Sequence, residues 1–534
     1  MVKPHWKYRL RLAGVPLLAR LGRCAGLSWD RLGRKLGREV LLAQVPRIDR
    51  NHVPAERRTD KPLDVVCMTM MGGNHRLAGV EVVLGLALRA RGHRVRYVLC
   101  DRQLDCCEVK WQGQEPAWPA ACAKCHAFGQ RLLGATGCEV LNVSDLIAGR
   151  PLEGEHEEYV ESALLKHYHV GVLEEDPSVR ARRERFLQAA RVSAAVGQAL
   201  AELRPDRVIM SHGIYCTWGP AREALLAANV PVVTYGEGKK RDTEKFNWNT
   251  SADWWDVSAE WDKVRDTPLT PAQQKIIDDY LASRRSHSQD ARVYNFGQEE
   301  SLAQTRRRLR LEDKPTFVLF TNVLWDAASA QREIAFSNPV QWVLDTIAWF
   351  DTHRDRQLVV KIHPAEVVIG TNQPFASLIA RHFPTLPPNV RVIEPAEKVN
   401  SWSILRVADL GIVHTSTVGM ELPLEGVPCM VVSRTHFRGR GFTVDVESRD
   451  EYFRTLETWD PFSVDRKRLV ELATRYAYLL FERYQLPFPF LREITVNDVR
   501  SLAGCDASEL LDHPTIGVFL RGIEQRGEFL LEAT

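Results

Sequence analysis

Residues 63–99 read LDVVCMTMMGGNHRLAGVEVVLGLALRARGHRVRYVL, and this stretch decides the fold class. The apolar run at 63–69 predicts a buried strand, which ends in a glycine-rich turn at 72–73. A helical pattern follows over 80–91, and residues 95–99 predict a second strand. A strand, a glycine-rich turn, a helix and another strand form a βαβ unit, which opens a parallel sheet.

The same alternation of strand and helix continues along the chain and restarts after a polar stretch at about 245–310. Further strands of the first sheet are predicted at 207–210 and 230–234. Five strands of a second sheet are predicted at residues 316–320, 358–362, 390–393, 410–413 and 428–432. We therefore predict an α/β protein of two Rossmann-like domains. Both sheets should present the carboxyl ends of their strands, where ligands bind, to one cleft.

The chain divides into four predicted regions. A basic amphipathic segment covers residues 1–60, and an N-terminal Rossmann-like domain covers 61–305, with a cysteine-rich insertion at 100–138. A C-terminal Rossmann-like domain covers 306–460, and a helical tail covers 461–534.

Length and charge exclude several classes of protein. A chain of 534 residues suggests two to three domains, and its formal net charge of +3 is too small to indicate a nucleic-acid partner. Residues 1–50 carry 12 Lys/Arg against 3 Asp/Glu, interleaved with apolar residues. This pattern favours helices that lie on an anionic membrane surface, although a helix packed on the protein itself is an equal alternative. No apolar run reaches the roughly 18 residues of a membrane span, and no secretory signal is present. We therefore expect a cytoplasmic protein that is peripheral to the inner face of the membrane.

The predicted strand at 358–362 runs directly into His363-Pro364. An imidazole at a strand end can donate a hydrogen bond to a phosphate and, when protonated, stabilise a leaving phosphate. Pro364 fixes the turn that orients the ring. The alternative is a histidine that merely caps the strand.

The predicted strand at 410–413 ends in His414-Thr415-Ser416-Thr417, at the start of a helix that carries Glu421. Backbone N–H groups, the helix dipole and the hydroxyls together suit an anion such as a phosphate. Simple helix capping by Ser416 or Thr417 is the alternative.

The order of these two motifs, followed by Gly-Val-Pro at 426–428, resembles the capsule polysaccharide biosynthesis family. That family includes bacterial Kdo transferases and is similar in layout to bacterial sialyltransferases and teichoic-acid polymerases. The resemblance covers about residues 315–445 and implies a GT-B fold whose C-terminal domain holds the nucleotide sugar. By position, His363 and Pro364 match the family's nucleotide-phosphate motif, and Ser416 and Thr417 match the paired hydroxyls that hold the donor phosphate. A CMP-activated sugar such as CMP-Kdo is implied, while UDP- and GDP-sugars stay open.

The N-terminal domain offers three candidates for the base that activates an acceptor. Related transferases carry an acidic-acidic-Gly motif after a strand, and Glu237 matches its second acid, whereas Gly236 replaces the first. Glu237 is the leading candidate for a catalytic base. A carboxylate that only neutralises neighbouring basic side chains is the alternative interpretation. His75 and His212, each directly after a predicted strand, are the other two candidates.

Five of the 11 cysteines cluster after the second strand. Cys122 and Cys125 have the spacing of a metal knuckle, and Cys100 and Cys106 would complete four ligands. Four thiolates favour a structural zinc ion, with an iron–sulfur cluster as the alternative. Reduced thiols that pack as small hydrophobic groups would need no metal. Glycosyl transfer itself is expected to need no catalytic metal, because the chain has no Asp-x-Asp motif.

The sequence therefore predicts a glycosyltransferase that moves a sugar from a nucleotide-sugar donor to a growing capsular or cell-surface polysaccharide or a glycolipid. The acceptor is expected to be a glycan or a lipid-linked glycan. A CDP-polyol phosphotransferase and a non-catalytic polysaccharide assembly subunit are the alternatives.

Overall fold

The structure of the protein is a computed structural model, which describes residues 45, 53–107, 118–294, 297–326, 332–493, 500–502 and 506–533. The basic segment predicted over 1–60 falls mostly outside these residues, so its amphipathic helices stay a prediction. Within the described ranges, no helix is both long enough and apolar enough to cross a membrane.

The first α/β unit is built on a mainly parallel sheet. Its strands in the first half of the chain are β1 (Asp64–Met70), β2 (Arg94–Leu99), β3 (Glu139–Asn142), β4 (Arg207–Ser211), β5 (Val232–Glu237) and β6 (Thr243–Trp248). The connecting helices are α1 (His75–Arg91), α2 (Trp118–Gly134), α3 (Val143–Ile147), α4 (Glu157–Tyr168), α5 (Pro177–Glu202) and α6 (Tyr215–Ala227). A short 3₁₀ turn, Ala55–Arg57, precedes β1. Strands β1 to β5 pair in parallel, and β6 adds an antiparallel edge.

Local sequence explains why the chain folds this way at β1 and α1. The β1 residues after Asp64 are all buried, as expected for a parallel strand covered on both faces. The Asn74 side chain accepts the N–H of Leu77 (3.2 Å) and so caps the start of α1. Gly92 ends the helix in the left-handed region, with φ of 105°, where a side chain would be strained.

The second α/β unit is a six-stranded parallel sheet with the strands β7 (Thr316–Phe320), β8 (Gln357–Lys361), β9 (Val390–Ile393), β10 (Leu410–Val413), β11 (Cys429–Val431) and β12 (Val444–Asp445). Their order across the sheet is β12-β11-β10-β7-β8-β9. The helices that precede this sheet in the chain are α7 (Ser258–Val264), α8 (Pro271–Ser286) and α9 (Leu302–Arg308). The helices between its strands are α10 (Pro339–Thr352), α11 (Ala365–Val368), α12 (Phe375–His382), α13 (Ser401–Leu405) and α14 (Val418–Leu424). Helices α15 (Arg449–Thr458) and α16 (Arg466–Tyr478) follow, and α16 leads into a π-helical turn, Leu479–Tyr484.

After this turn the chain returns to the first unit. Strand β13 (Leu486–Pro487) pairs with β6, so the first sheet has seven strands in the order β13-β6-β5-β4-β1-β2-β3. The remaining elements are the hairpin strands β14 (Leu491–Glu493) and β15 (Arg500–Leu502) and the helices α17 (Ala507–Asp512) and α18 (Pro514–Gln525). Phe519 and Phe529 from this last part pack on Phe246 of β6.

The predicted pair of Rossmann-like α/β domains is confirmed, but the packing divides the chain differently from the predicted boundaries at 305/306 and 460/461. Trp255, Trp261 and Tyr280 belong to the hydrophobic core of the second unit. Leu486 and Phe519, from the predicted tail, belong to the core of the first. The chain passes from one unit to the other at about residues 250 and 485, and such a passage leaves no hydrophobic periodicity in the sequence that would predict it.

Candidate active site between the two sheets

The predicted site residues lie at the carboxyl ends of the two sheets. In the first unit, His75 begins α1 after β1, His212 follows β4, and Glu237 is the last residue of β5. In the second unit, His363 comes two residues after β8, and His414 directly follows β10. Lys239, two residues after β5, acts electrostatically on His363 after β8, so the two edges lie close together. The space between these edges is called the cleft.

The hydrogen bonding of His363 is set by the backbone around it. Its N–H donates to the Thr321 hydroxyl (3.0 Å), and its ring Nδ1 accepts the N–H of Ala365 (3.0 Å). An accepting Nδ1 places the ring proton on Nε2, so Nε2–H is the donor that remains for a ligand. Burial, reinforced by the charges of Lys239 and Lys361, lowers the pKa of His363 to about 4. The ring is therefore neutral at pH 7, and the protonated form considered from the sequence is disfavoured.

Two buried polar groups at the carboxyl edge of the second sheet have no hydrogen-bond partner among the described residues. Lys361 is 3% exposed, and burial lowers the pKa of its ammonium group to about 8, although the charge of Glu397 opposes this. His414 is 2% exposed and its Nδ1 is unpartnered; burial, with the charge of Arg332, lowers its pKa to about 3. Buried polar groups without partners are costly. An anionic ligand at this edge would give both groups a partner.

The hydroxyl cluster after β10 is held by local hydrogen bonds. The N–H of Val418 donates to the Ser416 hydroxyl (3.4 Å), and the N–H of Thr415 donates to the Asn322 side chain (3.2 Å). A local turn onto the first residue of α14 thus accounts for the Ser416 hydroxyl, whereas Thr417, the N-cap residue, makes no side-chain capping hydrogen bond. Thr415 and Thr417 are both partly exposed. A role for these residues in phosphate binding stays a prediction.

Glu421 and Pro364 support the fold around these motifs. Glu421 is buried in an ion pair with Arg284 of α8, which also pairs with Asp290 (2.6 Å). Its carboxylate is therefore already neutralised, and its predicted contact with a nucleotide sugar stays untested. Pro364 directly precedes α11 and provides the turn expected after His363.

Arg332 ties the two units together across the cleft. It is buried and donates to the backbone oxygen of Asp253 (3.1 Å), and its guanidinium lies 3.7 Å from the ring centroid of Trp254. The Asp253 carboxylate lies 3.7 Å from Nζ of Lys245, which also donates to the backbone oxygen of Glu237 (3.0 Å). Burial acts to raise the pKa of Asp253, but electrostatic interactions with Lys245, His212, Arg332 and Lys239 lower it overall. One carboxylate therefore lies among several cations at this point of the cleft.

Glu237 lies at the predicted strand end but is already paired. Its Oε2 lies 2.9 Å from a guanidinium nitrogen of Arg292, and its Oε1 lies 3.8 Å from Nε of Arg76. The same ion pair raises the pKa of Arg292, against the opposing effect of burial. Both carboxylate oxygens of Glu237 are therefore already engaged by guanidinium groups.

His75 and His212 differ in their surroundings. His75 is buried, and its ring makes an edge contact with Phe128 of α2, with ring centroids 4.9 Å apart. His212 has a left-handed backbone, with φ of 49°, and its ring Nδ1 is hydrogen bonded to the Ser211 hydroxyl. A left-handed residue other than glycine costs conformational energy and is enriched at functional sites. The geometry therefore favours His212 over His75 as a reactive group.

The four predicted metal ligands lie on two segments. Cys100 and Cys106 are in the loop after β2, and Cys122 and Cys125 are on α2. The Sγ of Cys125 accepts the N–H of Gly73 (3.0 Å), and burial raises the pKa of the Cys100 thiol. In the part of the chain that the structure describes, no three His, Cys, Asp or Glu side chains are grouped to hold a metal ion. Residues 108–117 between the two segments lie outside that part, and the zinc site stays a prediction.

Sequence reasoning missed Asp253, Lys245 and Arg332. All three lie in segments for which the sequence predicts no strand or helix, and Asp253 lies in the polar stretch at about 245–310. The signal available was an acidic residue next to a Trp pair at 254–255, which is too common to indicate a site.

Residues 272–483 match a family model described as "Capsule polysaccharide biosynthesis protein". The match contains His363 and the hydroxyl cluster after β10. No protein of curated function matches the chain significantly.

Several solved structures match the chain at low identity. The beta Kdo 2,4 transferase KpsC of Thermosulfurimonas dismutans is 16% identical, covering 51% of this chain and 79% of that chain, with a TM-score of 0.34. The beta Kdo 2,7 transferase KpsC of the same organism is 15% identical, covering 59% and 89%, with a TM-score of 0.31. UDP-GlcNAc 2-epimerase from Neisseria meningitidis bound to UDP-GlcNAc is 11% identical, covering 78% and 99%, with a TM-score of 0.23. At these values the structural similarities carry no argument about function.

Proposed function

We propose that the chain is a capsule polysaccharide biosynthesis glycosyltransferase of the GT-B type, which the family match over residues 272–483 supports. The observation that supports this most is the site at the end of β8. There, a neutral His363 with a donor Nε2–H lies beside an unpartnered, buried Lys361. A neutral donor and a cation at a strand end are suited to the phosphate of a nucleotide sugar.

The second unit is proposed to hold the donor. His363 donates to the phosphate, the hydroxyls of Ser416 and Thr417 add further hydrogen bonds, and Lys361 supplies positive charge. As the sugar leaves the nucleotide, negative charge builds up on the phosphate oxygen, and these groups stabilise it. The proposed nucleotide is CMP, carrying a sugar such as Kdo, with UDP- and GDP-sugars as the alternatives.

The first unit is proposed to hold the acceptor, a glycan or a lipid-linked glycan. Its edge of the cleft carries the three candidate bases Glu237, His212 and His75. The basic segment at 1–60 is proposed to hold the enzyme on the inner face of the membrane through anionic lipids. A structural zinc ion at Cys100, Cys106, Cys122 and Cys125 is also kept as a proposal, which elemental analysis of the purified protein tests.

Titration calorimetry with CMP, CDP, UDP and GDP tests the donor assignment. We expect saturable binding of CMP, or of UDP or GDP if the donor is a UDP- or GDP-sugar. Binding of CDP alone would contradict the proposal in favour of a CDP-polyol phosphotransferase. Binding of none would indicate a non-catalytic assembly subunit.

Transfer itself is tested by incubating the protein with CMP-Kdo, UDP-GlcNAc or GDP-mannose and a glycolipid extract, and measuring the released nucleotide. We expect one donor to release nucleotide in an acceptor-dependent way. A protein that binds a nucleotide but releases none from any donor would contradict the transferase proposal.

A further inference from the structure

We infer that His212 is the acceptor base and that Asp253, which lies across from it, stabilises the positive charge that His212 gains during transfer. This inference rests on the proposed function. It assigns Asp253, a residue of the segment between the two units, as a positioning residue for the reaction.

The loop that carries Asp253 is fixed against the end of β4. The N–H of Ala252 donates to the backbone oxygen of His212 (2.9 Å), and the N–H of Asp253 donates to the Ser251 hydroxyl (3.2 Å). From the second unit, Arg332 holds the backbone oxygen of Asp253 (3.1 Å). Contacts from both units thus fix the position of this carboxylate. Its side chain is 22% exposed, so it is accessible from the cleft.

The hydrogen bond between the Ser211 hydroxyl and Nδ1 determines which ring nitrogen of His212 can accept a proton. Ser211 is the fully buried last residue of β4, and its hydroxyl is bonded to Nδ1. When Nδ1–H donates to this hydroxyl oxygen, Nε2 keeps its lone pair and can accept a proton. The left-handed backbone of His212 is held by its own N–H, which donates to the backbone oxygen of Tyr235 (2.9 Å).

The surrounding charges explain why such a base needs Asp253. Lys245 is 2% exposed with its Nζ 3.7 Å from the Asp253 carboxylate, and Arg332 is 4% exposed. Lys239 adds a third cation that acts on the same carboxylate. An imidazolium formed at His212 would be repelled by these cations. The Asp253 carboxylate, which interacts electrostatically with His212, offsets that repulsion.

Glu237 is less suited to the same task. Its two oxygens face Arg292 and Arg76, at 2.9 Å and 3.8 Å. Accepting a proton would weaken both ion pairs of Glu237, whereas the hydrogen-bond partner of the His212 ring is the uncharged Ser211 hydroxyl. Glu237 thus holds these two arginines at the rim of the cleft.

The acceptor hydroxyl oxygen forms a bond to the anomeric carbon of the donor sugar while its proton passes to Nε2 of His212. The bond between that carbon and the phosphate oxygen breaks, and the nucleotide leaves with the electron pair. The imidazolium then returns its proton to water.

The test uses the full-length protein and the nucleotide sugar that the wild type turns over. We expect Asp253→Asn and His212→Gln each to lower kcat by about 10²–10⁴-fold, with little change in the acceptor KM. Because the two residues act as a unit, the double variant should be about as slow as the slower single variant. The dissociation constant of the nucleotide, which binds to the other unit, should be unchanged in all three variants.

The matched control is Asp256→Asn, a carboxylate three residues further along the same loop. Asp256 is exposed and accepts the N–H of Ser258 (3.0 Å), so its loss should leave kcat unchanged. If the fold-loss of kcat in the double variant equals the product of the two single losses, the two residues act independently and the inference is overturned. Weakened nucleotide binding by Asp253→Asn would indicate a structural role and would also overturn it. Glu237→Gln stopping transfer while Asp253→Asn does not would also overturn it. A wild type that transfers no sugar would instead refute the proposed function, so the two failures are distinguishable.

Discussion

Replacing His363 by alanine should lower kcat/KM for the nucleotide sugar by about 100-fold or more, while the protein stays folded. The ring is neutral because burial and two nearby lysines lower its pKa to about 4. It therefore acts through Nε2–H, a donor whose orientation is fixed by the bond from Ala365 to Nδ1. Steady-state kinetics together with a thermal melt measure the effect.

A second variant, a control and the pH dependence test whether His363 acts as a neutral or as a charged hydrogen-bond donor. His363→Gln keeps an uncharged N–H donor and should recover part of the activity that alanine loses. His382→Ala, at the end of α12, is the matched control and should turn over normally. Because His363 titrates near pH 4, its contribution should be constant between about pH 5.5 and 8. An activity that rises through this window as the pH falls, and that is lost in His363→Gln, would show that the imidazolium is the active form.

Replacing Gly72 by alanine should destabilise the protein by about 1–3 kcal/mol and reduce transfer by about 10²-fold. A Cβ at Gly72 would lie 2.4 Å from the Cα of Gly129 on α2, and backbone atoms cannot give way as a side chain can. The turn after β1 or the helix α2 must therefore shift, and the residues that follow at the acceptor edge would move with it. Urea unfolding measures the first effect and kcat/KM the second.

Gly134→Ala is the matched control for this substitution. Gly134 is the last residue of the same helix, and a Cβ there would meet nothing within 4 Å. Alanine should leave activity unchanged and stabilise the fold by up to about 1 kcal/mol. A Gly72→Ala protein as stable and as active as the Gly134→Ala protein would contradict the close packing of α2 on the β1 turn.

The strand bounds predicted from the sequence agree best with the structure for strands that are buried on both faces. The predicted runs at 316–320 and 410–413 coincide with β7 and β10, in which every residue is buried. Such strands are continuously apolar because helices cover both sides of a parallel sheet. The same rule explains the missed β6, since its Glu244 and Lys245 are buried through ion pairs rather than by apolar character. Charge pairing of this kind depends on the tertiary structure and leaves no period in the sequence.

Some residues of the candidate site could likewise be predicted from the sequence, and others could not. His363, His414 and His212 could be predicted, because residues that follow parallel strands meet at one edge of the sheet. Asp253 and Arg332 could not, because each is positioned by an irregular segment whose path depends on contacts with the other unit. The pairing of Glu237 with Arg292 was also beyond prediction, since 55 residues separate them in the chain.

A crystal structure of the protein with the nucleotide that it binds in titration tests the central claim most directly. We predict the nucleotide phosphate at the carboxyl end of β8. One of its oxygens should lie about 3 Å from Nε2 of His363, and others should lie within reach of the Ser416 and Thr417 hydroxyls. A nucleotide bound at the edge of the first unit, or anywhere that leaves His363 without a phosphate contact, would contradict the account.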